Sequence, residues 1–143
     1  MEFRKSFASA RGFTLIELMI AVAILAIVMG IAIPSYIQYV LESGRADAKG
    51  VLMQSAQTLE RCYTRYSAYN DGDCALAQGA TVMSENDKYQ LTATTVSANE
   101  FLLTAVPQGG QANDTECDNF TLNHQGQKGA KGGTDAAVVE ECW

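Results

Sequence analysis

Two kinds of residue in this chain have the chemistry to form a functional site. The first are four cysteines, which permit three disulfide pairings or a thiolate metal site. They are Cys62, Cys74, Cys117 and Cys142. The second is Glu17, a carboxylate inside an otherwise apolar run. A charge at the centre of a membrane helix costs about 2.5 to 3.5 kcal/mol, and less near a helix end. Glu17 is therefore expected to have a partner.

The remaining reactive side chains do not combine into a catalytic or metal-binding pattern. His124 is the single histidine, and the sequence places no nucleophile beside it, so no catalytic triad is expected. There is no CxxC pair, and the acidic clusters do not match an EF-hand loop. These clusters, interpreted as solvated turns, contain Asp71, Asp73, Asp114, Glu116 and Asp118. Segment 126–133 lacks the phosphate-loop pattern and is interpreted as a flexible loop. We expect no enzyme activity, metal or cofactor.

The composition is that of one modest domain joined to an apolar segment. The 143 residues are 48% hydrophobic and 18% charged, with 12 Gly and 2 Pro, which excludes a disordered or repetitive chain. Apolar residues concentrate in 13–33, FTLIELMIAVAILAIVMGIAI. A helix of that length is about 30 Å long, enough to span a bilayer core. Such a run is too long for a cleavable secretory signal peptide, whose apolar core has about 7 to 15 residues.

Basic residues before the apolar run predict its orientation. Residues 1–12 contain Arg4, Lys5 and Arg11 against Glu2. Because basic flanks stay in the cytoplasm, we expect a cytoplasmic N-terminus and an exported C-terminal part.

The apolar run continues into an amphipathic helix. Small or apolar residues recur every three or four positions, which is the spacing of one helix face. They are Ala48, Val51, Leu52, Ser55, Leu59, Cys62, Tyr63 and Tyr66. The other face carries charged residues such as Arg45 and Lys49. The tyrosines, Tyr36 and Tyr39 included, are expected to pack against a sheet. From 13 to 66 the helix would measure about 80 Å, so its apolar half should protrude. A bend is expected at Gly30 and Pro34, which weaken the helix.

The C-terminal half shows the alternation of β-strands. Tyr89, Leu91 and Ala93 alternate with polar residues, and a similar pattern follows the SANE turn from Phe101. A third strand is predicted from Phe120. A helix followed by antiparallel strands indicates the α+β class.

The four cysteines lie in the part expected to be exported, where disulfides form. Of the three pairings, we favour Cys62 with Cys74 and Cys117 with Cys142, because both loops are then local.

The residues around Gly12 resemble the class III signal of type IV pilins. Residues 11–17 read RGFTLIE at the head of the apolar helix, with Glu at the fifth position after the Gly. The resemblance implies that an inner-membrane prepilin peptidase cuts between Gly12 and Phe13 and methylates the new amine. The mature chain would keep 7 basic and 15 acidic side chains, a formal charge of −8. The resemblance also implies that Glu17 pairs with the N-terminal amine of a neighbouring subunit. The alternative is that Glu17 reaches the membrane interface from its own helix. By the same resemblance, Gly30 and Pro34 mark a stretch that partly unwinds on assembly; the alternative is a static kink.

The C-terminal third resembles PilE-like minor pilins. It contains TAVP at 104–107, a Cys before the FTLN strand and a terminal Cys-Trp. The pair Cys62 and Cys74 is not part of the minimal family pattern, and residues 75–88 match nothing in it.

The two resemblances imply a type IV pilin fold, in which a long protruding N-terminal helix packs on an antiparallel sheet. The expected parts are a leader at 1–12, a membrane and filament-core helix at 13–34 and an exported head at 35–143. The implied function is that of a structural, minor subunit of a retractable filament for twitching motility, adhesion or competence. Alternatives are the major pilin, a type II secretion pseudopilin, or an adhesin or DNA receptor at the pilus surface.

The resemblance also implies the partners and the location. The partners are other pilin subunits, prepilin peptidase, the inner-membrane assembly machinery and the inner membrane itself. The head would be periplasmic before assembly and extracellular in the pilus. DNA is not expected as a partner, because the exported part is acidic and offers only a small basic spot at Lys128 and Lys131.

Overall fold

The computed structural model describes residues 12–143. The leader side chains on which the predicted orientation depends lie outside this range; they are Glu2, Arg4, Lys5 and Arg11. The described chain forms two compact units, which divide between Gln38 and Tyr39.

One long helix precedes a small sheet. The helices are α1 (Leu15–Tyr66) and α2 (Ala136–Cys142), with a 3-10 helix at Gly109–Asn113. The strands are β1 (Thr81–Met83), β2 (Tyr89–Val96), β3 (Phe101–Pro107), β4 (Phe120–Asn123) and β5 (Lys128–Ala130). Helix α1 ends before Ser67, which adopts a left-handed conformation with φ of 58°. Helix α2 begins after Asp135, whose carboxylate accepts hydrogen bonds from the N–H groups of Ala137 and Val138.

The five strands form one antiparallel sheet in the order β1-β2-β3-β4-β5. The predicted hairpin is β2 and β3, and the strand predicted from Phe120 is β4. Strands β1 and β5 and helix α2 were not predicted from the sequence. Strand β5 lies inside the segment interpreted as a flexible loop, so that interpretation was wrong for residues 128–130. The α+β class with an antiparallel sheet is confirmed.

The core lies between the second half of α1 and one face of the sheet. The helix buries Ala48, Val51, Leu52, Ser55, Leu59 and Cys62, which are on the predicted apolar face. The sheet buries Tyr89, Leu91, Ala93, Phe101, Leu103, Ala105, Phe120 and Leu122. All these residues come from the unit Tyr39–Trp143, so this unit has a hydrophobic core of its own.

The predicted positions of several tyrosines were wrong. Tyr36 and Tyr39 are each 68% exposed and do not pack on the sheet. Tyr63 is 37% exposed and stacks on Tyr69, with ring centroids 4.6 Å apart. The apolar spacing continues to Tyr66, but the last buried residue of α1 is Cys62. The sequence pattern therefore extends one turn beyond the part of the helix that the sheet covers.

Candidate assembly site and head surface

The N-terminal end of α1 holds the first group of predicted functional residues. Gly12 precedes the helix, and a β-carbon added there would meet nothing within 4 Å. Phe13 is 82% exposed. The hydroxyl oxygen of Thr14 accepts a hydrogen bond from the Glu17 N–H at 3.3 Å. Thr14 therefore caps the first turn, and Glu17 occupies the third helical position of the T-x-x-E pattern. The pattern T-x-x-E at 14–17 was a signal for this cap that the sequence analysis missed.

The Glu17 carboxylate lies on an exposed apolar helix. No ion pair joins it to any residue between 12 and 143. From Phe13 to Ile37 every large apolar side chain of the helix is between 49% and 82% exposed. Helix α1 is long and apolar enough to cross a membrane, and the most apolar stretch has no buried residue. A charged partner for Glu17 would therefore be a group in residues 1–11 or a group on another molecule.

Gly30 and Pro34 lie in the same exposed stretch. Helix α1 continues through both residues without interruption. The stretch is therefore helical in this structure. Its unwinding on assembly stays a prediction.

Two disulfide bonds join separate segments of the head. They are Cys62–Cys74, with a sequence separation of 12, and Cys117–Cys142, with a separation of 25. This is the pairing that the sequence analysis favoured. The first joins the last turns of α1 to the segment that follows it. The second joins the loop before β4 to α2, and both of its cysteines are almost fully buried.

A buried ion pair joins α1 to the loop before β4. The Arg45 guanidinium donates to both carboxylate oxygens of Asp114, at 2.7 and 2.9 Å, and to Glu116 at 2.8 Å. The Asp114 hydrogen bonds raise the pKa of Arg45. Burial alone would raise the pKa of Asp114, but the hydrogen bonds from Arg45 and from the Cys117 N–H outweigh it and lower that pKa.

Two sequence interpretations are corrected by this pair. Asp114 was interpreted as part of a solvated turn, but it is 3% exposed. Arg45 was placed on the polar face of α1, but it is 7% exposed. Arg45 lies three residues before Ala48, on the buried face, and this spacing was the signal that could have indicated its position.

A second buried polar contact connects the 3-10 helix to α1 and to β2. Gln111 is buried, and its amide donates to the Leu41 carbonyl at 2.9 Å and to the Tyr89 hydroxyl at 3.2 Å. Burial raises the pKa of Tyr89 to about 12. Gly44 makes this contact possible, because a β-carbon there would lie 2.0 Å from the Gln111 Oε1 atom. Gly44 and Gln111 were not predicted from the sequence, because their contact joins residues far apart in the chain.

Asp47 connects α1 to the segment that the sequence could not place. Its carboxylate accepts hydrogen bonds from the Ser84 hydroxyl, and from the backbone N–H and side-chain amide of Asn86. Residues 75–88 therefore contain β1 and a turn held against α1.

A cationic cluster surrounds the C-terminal tryptophan. Lys49 Nζ donates to the main-chain oxygen of Trp143 at 2.8 Å, and Lys128 Nζ lies 5.0 Å from the centre of its ring. Burial, and then the charges of Arg45 and Lys128, lower the pKa of Lys49. We call Lys49, Lys128 and Trp143 the lysine–tryptophan cluster. Lys131 follows it in sequence, with its N–H bonded to the Cys117 and Asn119 carbonyls.

His124 and the acidic residues form no metal site among residues 12–143. His124 directly follows β4, its N–H donates to the Phe101 carbonyl, and its ring faces the Phe101 ring edge at 6.4 Å between centroids.

Two family models match the chain over most of its length. Residues 34–121 match the family described as "Type IV minor pilin ComP, DNA uptake sequence receptor". Residues 8–33 match the prokaryotic N-terminal methylation motif.

Curated proteins with similar sequences are fimbrial subunits. Fimbrial protein Q of Moraxella bovis is 31% identical over 93% of this chain and 83% of that protein. The type IV major pilin protein PilA of Myxococcus xanthus is 41% identical over 43% of this chain, and this match spans only 28% of PilA. Among solved structures, the non-core minor pilin PilV of Neisseria meningitidis matches with a TM-score of 0.47 at 26% identity, covering 65% of this chain and 90% of PilV.

The family match over residues 34–121, the methylation motif and the near full-length similarity to a fimbrial protein agree with the helix and sheet described above. The resemblance to pilins is thereby confirmed. The chain belongs to the type IV pilin family and is a pilus subunit.

Proposed function

We propose that this pilin is cut between Gly12 and Phe13, methylated at Phe13 and inserted into the filament through pairing of Glu17 with the new amine of a neighbouring subunit. The observation that carries the proposal is the exposed apolar helix with a single carboxylate and no ion-pair partner within residues 12–143. An exposed apolar surface of this extent needs a membrane or other helices to cover it. In those surroundings an unpaired carboxylate is costly, and pairing with a cationic amine offsets part of that cost.

The capping contact of Thr14 supports the same arrangement. It places the start of α1 at Leu15, three residues after Gly12, with Glu17 in the first turn. The cut after Gly12 would place a cationic amine on Phe13, four residues from Glu17. A neighbouring helix displaced along its axis could then bring its amine to this carboxylate.

The decisive experiment compares Glu17→Gln with the parent chain in cells that assemble pili. Mass spectrometry of the N-terminal peptide and of sheared filaments would measure processing and incorporation separately. We expect processing at Gly12 to continue and incorporation to fall at least tenfold. Glu85→Gln, on the surface of the head, is the matched control and should incorporate normally. Normal incorporation of Glu17→Gln would refute the pairing.

We further propose that the subunit is a minor pilin held in the inner membrane, head outward, before assembly. Support comes from the family description over residues 34–121 and from the apolar helix. Quantitative mass spectrometry of sheared filaments should find it in trace amounts. Dominance would make it the major pilin. Confinement of the mature chain to membranes would indicate a pseudopilin.

DNA binding is a second candidate function. The family description names a DNA uptake receptor, and Lys49 and Lys128 both contact Trp143 on an acidic head, with Lys131 three residues after Lys128 in sequence. The expectation of no DNA partner rested on the acidic charge of the exported part and on the small size of the basic spot at Lys128 and Lys131. Local cations contacting phosphates can act against an unfavourable net charge, at low salt above all.

The DNA candidate is tested with Lys128→Gln/Lys131→Gln in the full chain. Binding of a labelled duplex would be followed over a range of salt concentrations. Loss of two phosphate contacts should weaken binding and lower the salt slope by about 2. Lys88→Gln, in the turn before β2, is the control. Unchanged binding by the double variant would exclude the cluster, and no binding by the parent would exclude this function.

A further inference from the structure

Two exposed tyrosines lie just beyond the apolar run of α1. Tyr36 and Tyr39 are each 68% exposed, and they follow Ile33, the last residue of that run. No side chain between Glu17 and Glu42 is charged, so the tyrosines lie in an uncharged stretch of helix. A tyrosine combines an apolar ring with a hydroxyl, and surroundings that suit it must accept both.

The position of the tyrosines along the helix identifies such surroundings. The run 13–33 is about 30 Å long, which matches the hydrocarbon core of a bilayer, and the headgroup layer on each side is about 5 to 8 Å thick. With Ile33 at the edge of the core, the Cα atom of Tyr36 lies about 4.5 Å beyond it and that of Tyr39 about 9 Å beyond it. Helical side chains lean toward the helix N-terminus, which brings the Tyr39 ring back toward the headgroup layer. Both rings are therefore at the depth of the lipid headgroups.

The chemistry of the headgroup layer suits these side chains. A phenol hydroxyl donates and accepts hydrogen bonds, and the phosphate and ester oxygens of phospholipids are acceptors. Tyrosine and tryptophan are enriched at this depth in membrane helices, because one end of the side chain is apolar and the other is polar. The neighbouring Ser35 and Gln38 are also polar without charge.

The tyrosines oppose the displacement that would release Glu17 from the hydrocarbon. With Phe13 at the inner edge of the core, Glu17 lies four residues, or about 6 Å, inside it. A shift of the helix by about 6 Å toward the cytoplasm would carry Glu17 to the interface. The same shift would move the Cα atom of Tyr36 from about 4.5 Å outside the core to about 1.5 Å inside it, where its hydroxyl has no lipid oxygen to bond.

We propose that Tyr36 and Tyr39 bind the phospholipid headgroups on the exported side of the membrane and set the depth of α1, which keeps Glu17 within the hydrocarbon before assembly. This inference rests on the proposed membrane location of the subunit. It does not depend on whether the subunit is minor or major. It also favours pairing of Glu17 over the alternative in which Glu17 reaches the interface from its own helix.

The first test identifies what contacts position 36 before assembly. A photo-reactive benzoylphenylalanine replaces Tyr36 in the full chain, and the membrane fraction of irradiated cells is analysed by mass spectrometry. The matched control carries the same group at Met53, which is 40% exposed on the head part of α1. We expect a phospholipid adduct from position 36, attached at the glycerol or the upper acyl chain, and none from position 53.

The other outcomes of this test contradict different statements. A protein adduct at position 36, attachment near the end of an acyl chain, or no adduct in chains recovered from the membrane would overturn the proposal and leave the membrane location standing. A lipid adduct of equal yield from position 53 would overturn it as well. Absence of the chain from the membrane fraction would refute the membrane location together with this proposal.

The second test measures the depth of the helix. The photo-reactive group is placed at Ile33, and its attachment point on the acyl chain is compared between variants. Tyr36→Leu/Tyr39→Leu should move that point toward the bilayer centre by up to about 6 Å, because an inward shift of this size brings Glu17 to the interface. Tyr36→Trp/Tyr39→Trp keeps amphipathic rings and should leave it unchanged. Formation of both disulfides would verify that each variant folds. An unchanged point in the leucine variant, or an equal shift in the tryptophan variant, would overturn the role in depth.

Discussion

The Arg45 guanidinium and the Asp114 carboxylate form a two-point hydrogen-bonded ion pair, with N to O distances of 2.7 and 2.9 Å. The two residues are 69 positions apart in sequence, and their contact connects the long helix to the loop between the 3-10 helix and β4, three residues before Cys117. A fork-shaped donor on a carboxylate fixes orientation as well as distance. The pair therefore holds the loop before β4 at one place on α1.

Asp114→Asn should destabilise the head by about 3 kcal/mol, because Arg45 would remain buried without its main counter-charge. Chemical denaturation at neutral pH measures the loss. Glu116→Gln is the control, since the Glu116 side chain is 53% exposed and its contribution should be below about 1 kcal/mol. Equal effects of the two substitutions would contradict the assignment of the pair's strength to Asp114.

The same pair predicts a dependence of stability on acid pH. The pKa of Asp114 is lowered from 3.8 in the folded state, so the folded chain favours the ionised carboxylate. Its contribution is present above the unfolded pKa and is lost as the pH falls through the folded value. Denaturation curves between pH 2 and pH 6 should show a decline below about pH 4 that is smaller in Asp114→Asn. An identical decline in both chains would assign it to other carboxylates.

Gly44→Ala should destabilise the head more than Gly50→Ala on the same helix. At Gly44 the new methyl group would displace Gln111 from the Leu41 carbonyl and the Tyr89 hydroxyl, whereas a methyl group at Gly50 meets nothing within 4 Å. We expect a loss of about 1 to 3 kcal/mol for Gly44→Ala. Gly50→Ala should be neutral or stabilising by up to about 1 kcal/mol, because alanine favours helix. Thermal unfolding of the two variants would measure the difference.

Removal of Cys117–Cys142 should cost more stability than removal of Cys62–Cys74. The separations of 25 and 12 residues correspond to about 3.5 and about 3 kcal/mol of loop entropy. Cys117 and Cys142 are also the more buried pair, so serines there leave polar groups in the core. Paired Cys→Ser variants compared by urea denaturation test this order. A larger loss from the Cys62/Cys74 variant would reverse it.

Local patterns in the sequence were sufficient for much of this protein. The apolar run with Glu17, the signal around Gly12 and the buried face of α1 depend on residues close together in the chain, and so does the alternation of β2 and β3. The resemblance to type IV pilins was recognised from the signal around Gly12 and from the C-terminal third. The exposure of Tyr36 and Tyr39 could not be predicted in this way, because apolar periodicity does not indicate how far along the helix the sheet extends.

Tertiary structure decided the contacts between distant residues. Arg45 meets Asp114, and Gln111 fits beside Gly44. In both cases the partners lie far apart in the chain, so local spacing does not indicate that they meet. Composition and spacing determine which face of an element is apolar, whereas the packing of whole elements determines which polar groups meet.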